Sequence, residues 1–342
     1  MVPSFNNADF IPQTLQSLIN QNYKNYDINV LDNASTDNTE NLIKEYIGKN
    51  NVSYIKNEKN IGACQNFNNC LNYYKGCDFL AIFHSDDVYD FNILRYEVDY
   101  FLNHPEVAAV FTEAKIIDEK NKIIGSFSVP KKLRLKEEYD FNDIFREFLK
   151  NGNSFVICPT FMVRTSVIKE VGIFDCRFGK AIDIEMWLRI LSKYKIGIIK
   201  KKLIHRRMSK INDSTTYNYF RISSSDFFRV INYYLKKSYH NSENNKLLRQ
   251  YKFQKSFDNF RRSYHLFLLG NLKKSKRLAQ KSIGKDTFLA VFSYFNLKKL
   301  LKYFLMLIFL CIYKLKLVKF FRKLLLSSKY KNININLNHR GS

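Results

Sequence analysis

The sequence predicts an α/β protein: a mainly parallel sheet flanked by helices, followed by a C-terminal region that is helical and basic. Three observations carry this. Over the first 125 residues, short apolar runs alternate with helical patterns, the mark of β-α-β units. After about Asn212 the strand signals fade and helical spacing takes over. The charge divides the same way: residues 1–199 hold 23 Lys/Arg and 26 Asp/Glu, whereas residues 200–342 hold 33 and 5. A chain of 342 residues exceeds one average domain, roughly 100–200 residues. We therefore expect an α/β domain over 1–212 and a basic helical region over 213–342.

The strand candidates are residues 28–31, 52–55, 79–83 and 107–111, each a short β-branched or aromatic run. Between them, Ile11, Leu15, Leu18 and Ile19 give a first helix an apolar face. A second helix opens at Ser35 or Thr36 and carries Leu42, Ile43, Tyr46 and Ile47; a third runs over 63–74. Val2 leads straight into Pro3, which leaves no room for an opening strand. Either the sheet lacks a central strand or the true start lies upstream, and the second is the expectation. Further on come a helix over 142–150, an apolar stretch over 155–163, a helix over 165–170, a turn at Gly172–Asp175, a helix over 183–193 and a strand over 196–199. Gly270 breaks two later helices into a hairpin.

Lysine abundance alone fits an AT-rich coding bias, but such a bias cannot separate two halves written with the same codons. The basic half implies an anionic partner: nucleic acid, an anionic membrane surface or an acidic substrate. Residues 287–342 contain no acidic side chain. The apolar run over 303–313 holds 11 residues, about 16 Å of helix against a hydrocarbon core of ~30 Å, so it cannot span a bilayer. Beyond it Leu317, Val318, Phe321, Leu324 and Leu325 share one helical face, with Lys316, Lys319 and Lys323 opposite. That pattern suits either a helix lying in the headgroup plane or a core helix with a solvated basic side. Cys64, Cys70, Cys77, Cys158, Cys176 and Cys311 form no C-x-x-C pair and no zinc spacing. With no signal peptide at the start, they are expected to be reduced and mostly buried in a cytoplasmic protein. On the same ground the N-x-S patterns at Asn33, Asn51 and Asn212 are read as chance.

The sharpest local feature is the strand from Phe79 that ends in His84-Ser-Asp86-Asp87. Adjacent carboxylates raise each other's pKa unless a cation sits between them. Mg²⁺ or Mn²⁺ is the natural occupant, since such ions bind through carboxylates plus substrate phosphates. Taken alone, the pair could equally cap the next helix. It is accompanied, however, by Asp32-Asn33-Ala-Ser35-Thr36-Asp37 after one strand, Asn60-Ile-Gly62 with Asn66 after the next, and Pro3-Ser4-Phe-Asn6 at the start. Four polar loops would share one edge of the sheet, where open α/β folds bind ligands.

These motifs, in this order, resemble those of the inverting glycosyltransferases of family 2, over about residues 1–210. Members typically read I-I-P-T/S-Y/F-N, then V-V-D-D/N-x-S-T-D-x-T, N-x-G-x-x-x-x-N and L-D-x-D-D. Later come R-x-S-x-x-x-x-V-G-x-F-D and E-D-x-x-L-W-L-R, matched here by Arg164 to Asp175 and by Asp183 to Arg189. The resemblance implies the GT-A (Rossmann-like) nucleotide-sugar-binding fold. It implies that Pro3, Ser4 and Asn6 line the nucleotide cleft, that Asp32 reads the base, and that Asn33, Ser35, Asn60, Gly62 and Asn66 complete the donor loops. Asp87, with Asp86 beside it, would hold Mg²⁺ or Mn²⁺, Arg206 would meet the diphosphate, and Asp183 would be the general base. A carboxylate accepting a uracil N–H makes a UDP-sugar the first guess.

The chain departs from the pattern at three places. His84 stands where the family has its first aspartate and could ligate or simply hydrogen-bond. Ile182 replaces the glutamate before the base, and Met208 fills the slot of a histidine that approaches the metal or diphosphate. Methionine is a poor ligand for a hard ion. Trp187 could stack on sugar, but one helical turn beyond Asp183 it is better read as core.

The expected protein is thus a metal-dependent, inverting glycosyltransferase, cytoplasmic and peripheral on the inner face of the cell membrane. Its partners would be a nucleotide-sugar donor and a growing or lipid-linked glycan acceptor. A nucleic-acid partner is disfavoured because the charge lies outside the α/β domain and no nucleic-acid-binding motif accompanies it. The alternative is a catalytically inactive relative that keeps the fold as an interaction module.

Overall fold

The computed structural model describes residues 1–48, 51–73, 76–209, 221–238, 245–293, 297–315 and 317–329. They fall into two compact units, one of residues 1–215 with 229–239 and the other of residues 216–228 with 240–342.

The first unit is built on strands β1 (Val2–Ser4), β2 (Ile28–Asp32), β3 (Val52–Lys56), β4 (Phe79–Ile82), β5 (Val88–Tyr89), β6 (Val107–Ile117), β7 (Ile123–Phe127), β8 (Glu138–Tyr139), β9 (Phe161–Arg164) and β10 (Lys195–Arg207). Strands β1, β2 and β3 pair in parallel. The main-chain amide of Phe83 donates to the carbonyl of Met1 (3.0 Å), and the Met1 amine donates to that of Ala81 (2.9 Å). These bonds set β1 beside β4, and the order continues β4-β9-β6-β10-β5, with β7 on β6 and β8 on β10. Strand β9 runs antiparallel between β4 and β6, whereas β6 and β10 are parallel. The loops after β1, β2 and β4 and the far end of β10 therefore share one edge.

The expectation that Val2-Pro3 leaves no room for a strand was wrong. Three residues suffice because Val2 and Ser4 pair with Val30 and Asp32 on one side and the Met1 main chain bonds to Ala81 and Phe83 on the other. Two other boundaries moved. The second helix, α2 (Thr39–Lys44), opens later than Ser35, because Ser35 and Thr36 are held in the loop by Asp32 and Asn6. Strand β10 runs eight residues past Ile199 to Arg207, carried by its pairing with β6 as far as Ile117.

Helices α1 (Ile11–Ile19), α3 (Ala63–Asn72), α4 (Ile93–Asn103), α5 (Phe141–Asn151), α6 (Thr165–Val171) and α7 (Ile182–Leu191) complete this unit, joined by the end of α8 (Asp226–Ser238). Trp187 of α7 is fully buried against Phe111 (4.9 Å between ring centroids) and Phe161 (4.5 Å). It is a core residue and does not face the site.

The cysteines depart from expectation. Cys64 at the start of α3 is disulfide-bonded to Cys176, and of the free ones only Cys70 is buried, Cys77 and Cys311 being exposed. Sequence spacing gave no hint of the pair because its partners are 112 residues apart and meet only through the fold.

The second unit contains α9 (Asn245–Leu268), α10 (Leu272–Lys281), α11 (Lys285–Ser293), α12 (Leu297–Lys314) and α13 (Val318–Lys329). The turn between α9 and α10 places Gly270 at φ +83, a conformation glycine adopts without strain. Arg322 of α13 donates to the carbonyls of Phe267 and Leu268, satisfying the open end of α9. Phe267, Ala279, Phe309 and Tyr313 form the core, with Val318 and Phe321 packed on it. Of the two readings of the last helix's apolar face, lipid or core, the structure gives these two residues the core. Lys316 and the side chains of Leu324 and Leu325 lie outside the described residues. No described helix is long and apolar enough to cross a membrane.

Candidate active site

At the shared sheet edge the main chain turns sharply after β1 and β2. Asn6 (φ 49) and Ala34 (φ 59) both take left-handed conformations, which are costly for residues other than glycine. Side chains offset that cost. The Asn6 side-chain oxygen accepts from the Thr36 main-chain amide (2.8 Å), the Asn6 main-chain amide donates to the Ser35 hydroxyl (2.8 Å), and that of Asn7 to the Thr39 hydroxyl (2.9 Å). Pro3 and Ser4 are buried beneath them.

Asp32 is shut from solvent. Its carboxylate accepts from the Ser35 amide (3.2 Å), the Ser35 hydroxyl and the Tyr54 hydroxyl (2.8 Å). Burial, and then this bond to Asp32, hold the Tyr54 phenol protonated far above its ordinary range. A ligand reaching Asp32 would meet a carboxylate already accepting three bonds. Asn33 is likewise engaged: its amide donates to Asn60 (2.8 Å), and its oxygen accepts from Asn57 (3.1 Å) and the Ile61 amide (3.0 Å). Asn57 also donates to Asn66, which donates in turn to the Leu31 carbonyl. An asparagine ladder thus ties the loops after β2 and β3 together, with exposed Asn60 and Gly62 at its outer end.

The loop after β4 carries the carboxylates. One ring nitrogen of His84 and one oxygen each from Asp86 and Asp87 lie within 4.8 Å of one another, the only such metal-type cluster among the described residues. Asp87 is 1% exposed; its Oδ1 accepts from the Arg207 amide (2.7 Å), while its Oδ2 and the Nε2 of His84 are shielded from solvent with no partner. Burial, reinforced by Asp86, pushes the Asp87 carboxyl well above the usual range, and Arg206 and Arg207 only partly oppose this. Burial, aided by Arg206, pushes the His84 imidazole down to about 3, so it is neutral and offers a lone pair. Orphaned buried oxygen and nitrogen atoms are costly unless something binds them, and this donor set fits a divalent cation.

Half-buried Asp183 sits in the first turn of α7, two residues after the N-cap residue Ala181. Its carboxylate accepts from the next amide, of Ile184 (2.8 Å), and burial raises its pKa to about 6. The Arg206 guanidinium acts electrostatically on His84, Asp87, Asp183 and Cys158 alike, and it stacks over Phe127 at 5.2 Å. The fold therefore brings Asp86, Asp87, Asp183 and Arg206 to one electrostatic neighbourhood. Asp32 and Asn33 form the floor of the neighbouring loops.

Sequence reasoning missed Arg207. Strand alternation sends it to the face opposite Arg206, where it is 2% exposed. Its side chain donates to the Asp86 carbonyl (3.0 Å), the Asp118 carbonyl (3.2 Å), Asn121 (2.8 Å) and Gln13 (2.6 Å). Together with Thr14, whose hydroxyl donates to the Asp87 carbonyl (2.7 Å), it fixes the main chain of the aspartate pair. Its signal was the second arginine of His205-Arg206-Arg207 at a strand end. Arg207→Met is expected to cost about 2–4 kcal/mol, since four partly buried acceptors lose a charged donor; a urea denaturation midpoint unchanged from wild type would refute this.

This architecture, a parallel sheet edge with polar loops after its first strands and a carboxylate doublet after the fourth, is the GT-A glycosyltransferase fold. A solved structure of Staphylococcus aureus TarS 1–349 in complex with UDP-GlcNAc superposes with a TM-score of 0.60 at 18% identity, covering 84% of this chain and 82% of that one. A longer TarS structure is spanned over 49% of its length, with a TM-score of 0.57. In sequence, the uncharacterised glycosyltransferase MJ1057 of Methanocaldococcus jannaschii is 28% identical over 225 residues, 63% of this chain and 74% of that protein. The Escherichia coli enzyme WfgD, a UDP-Glc:α-D-GlcNAc-diphosphoundecaprenol β-1,3-glucosyltransferase, is 26% identical over 221 residues, 65% of this chain and 80% of that protein. The model of Glycosyl transferase family 2 matches residues 1–172. The chain belongs to that family.

Proposed function

We propose that this protein transfers one sugar from a UDP-sugar to a hydroxyl of a growing or lipid-linked glycan, with inversion at the anomeric carbon, at the inner face of the cell membrane. In this reading residues 1–212 are the catalytic domain and 213–342 attach it to the membrane. The observation that carries the proposal is the meeting of Asp86, Asp87 and His84 with Arg206 and Asp183 at one sheet edge. Asp183 takes the acceptor proton as that oxygen attacks C1; a base poised near pH 6 suits this task. Arg206, which acts on His84, Asp87 and Asp183 alike, meets the departing diphosphate in this reading, since guanidinium pairs well with phosphate oxygens. Pro3, Ser4, Asn6, Asn33, Ser35, Asn60, Gly62 and Asn66 shape the nucleotide cleft, and Asp32 acts there by holding Ser35 in place or by exchanging that bond for a base N–H.

Asp86, Asp87 and His84 are the residues that would hold Mg²⁺ or Mn²⁺, which when bound supplies positive charge to the departing nucleoside diphosphate. An imidazole nitrogen in the set favours a first-row transition ion, here Mn²⁺, over Mg²⁺. The UDP-sugar and the lipid-linked acceptor are consistent with the substrates named for WfgD.

The direct test is thermal denaturation with nucleoside diphosphates. UDP at 100 times its dissociation constant stabilises a folded protein by about 2.7 kcal/mol. The expected order of midpoints is UDP with Mn²⁺, then UDP with Mg²⁺, then UDP alone. No shift with any nucleotide would sink the catalytic reading and favour an inactive fold.

A further inference from the structure

Helix α12 is apolar on two faces, and its own unit uses only one. Met306, Phe309 and Tyr313 are buried at 1, 6 and 8% exposure. On the side turned away, Leu301, Phe304, Leu305 and Ile308 stand 61, 51, 46 and 58% exposed. Their spacing of three, one and three residues puts them in one stripe along the helix, extended by Leu315 at its end. A helix on the surface of a water-soluble domain normally carries polar residues there, and monomeric proteins rarely leave a contiguous apolar patch uncovered.

We propose that this stripe is the surface that enters an anionic phospholipid bilayer, with α12 lying in the headgroup plane. Charge selects the occupant. Residues 240–342 carry 23 Lys/Arg and 3 Asp/Glu, so a second copy would bring like charge against like. Nucleic acid would meet the charge but leave the leucines and phenylalanine in water. An anionic leaflet meets both: the apolar side chains reach the acyl boundary, and exposed Lys314, Lys319 and Lys323 meet the headgroups. The inference deepens the membrane attachment proposed above and rests on it, moving the lipid-facing residues from α13 to α12. Val318 and Phe321, whose face the sequence pattern left open between lipid and core, already pack in the core.

Full-length protein should float with vesicles of phosphatidylglycerol and phosphatidylcholine, and not with phosphatidylcholine alone. Flotation should fall at about 1 M salt, where charges are screened within ~3 Å. The variant Leu301→Ser/Phe304→Ser/Ile308→Ser should bind at least tenfold more weakly while keeping its urea midpoint, since all three positions face water. Phe304→Trp should be quenched by brominated lipid, whereas native Trp187, fully buried, and a Leu135→Trp control on the first unit should not. If the triple variant floats like wild type, or Phe304→Trp is not quenched on floating protein, the assignment of this face is wrong although membrane attachment stands. If wild-type protein fails to float, both fall. Stripe-dependent dimerisation in sedimentation would identify a second copy as the occupant and overturn the proposal.

Discussion

Asp183→Asn is expected to lower the rate of sugar transfer by about 10²–10⁴-fold, the usual contribution of a positioned general base. The amide keeps the side-chain oxygen that accepts from the Ile184 amide, so the first turn of α7 should fold unchanged. Because Asp183 titrates at about 6, wild-type turnover should fall tenfold per unit as pH drops below that value, and the variant should lack this limb. The stability sign is opposite. A carboxyl whose folded pKa is raised above its unfolded value of 3.8 makes the protein more stable as pH falls from about 6 towards 4, and the variant should lose that dependence too. Equal turnover of wild type and variant across pH 5–8 would place the base elsewhere.

Asp87→Asn should separate stability from ligand binding. In the absence of ligand the buried carboxylate is poorly solvated and has an oxygen without a partner, so the neutral amide should leave the denaturation midpoint equal or higher. The same change removes the anionic ligand, so UDP with Mn²⁺ should no longer stabilise the protein, and transfer should fall by about 10²-fold or more. A variant that keeps the full UDP–Mn²⁺ shift would show that Asp87 does not hold the ion. Loss of stability without ligand would instead make it a structural residue held by the Arg207 amide.

The sheet was legible because its strands are nearly continuous apolar runs and its loops are polar, a contrast that survives in one dimension. The carboxylate doublet was legible for the same reason, as like charges closing a buried strand. Three things were not. The short β1 is stabilised by partners on both sides rather than by its own sequence. Arg207 is set by strand alternation in the extension of β10, which no local propensity predicts beyond Ile199. In the second unit, which apolar face is core depends on how helices stack; periodicity grouped Val318 with Phe321 but left open whether that face meets lipid or core.

The bond between Cys64 and Cys176, with Asn68 both donating to and accepting from the main chain of Phe174, has a consequence for how the reaction centre keeps its shape. It staples the helix that follows the asparagine ladder to the turn that feeds α7. On the reading proposed above, the arm carrying the donor loops and the arm carrying Asp183 would then not drift apart independently. At the inner face of a cell membrane, where thiols are kept reduced, the Asn68 hydrogen bonds would hold that gap alone, and oxidation of the pair would add a covalent brace.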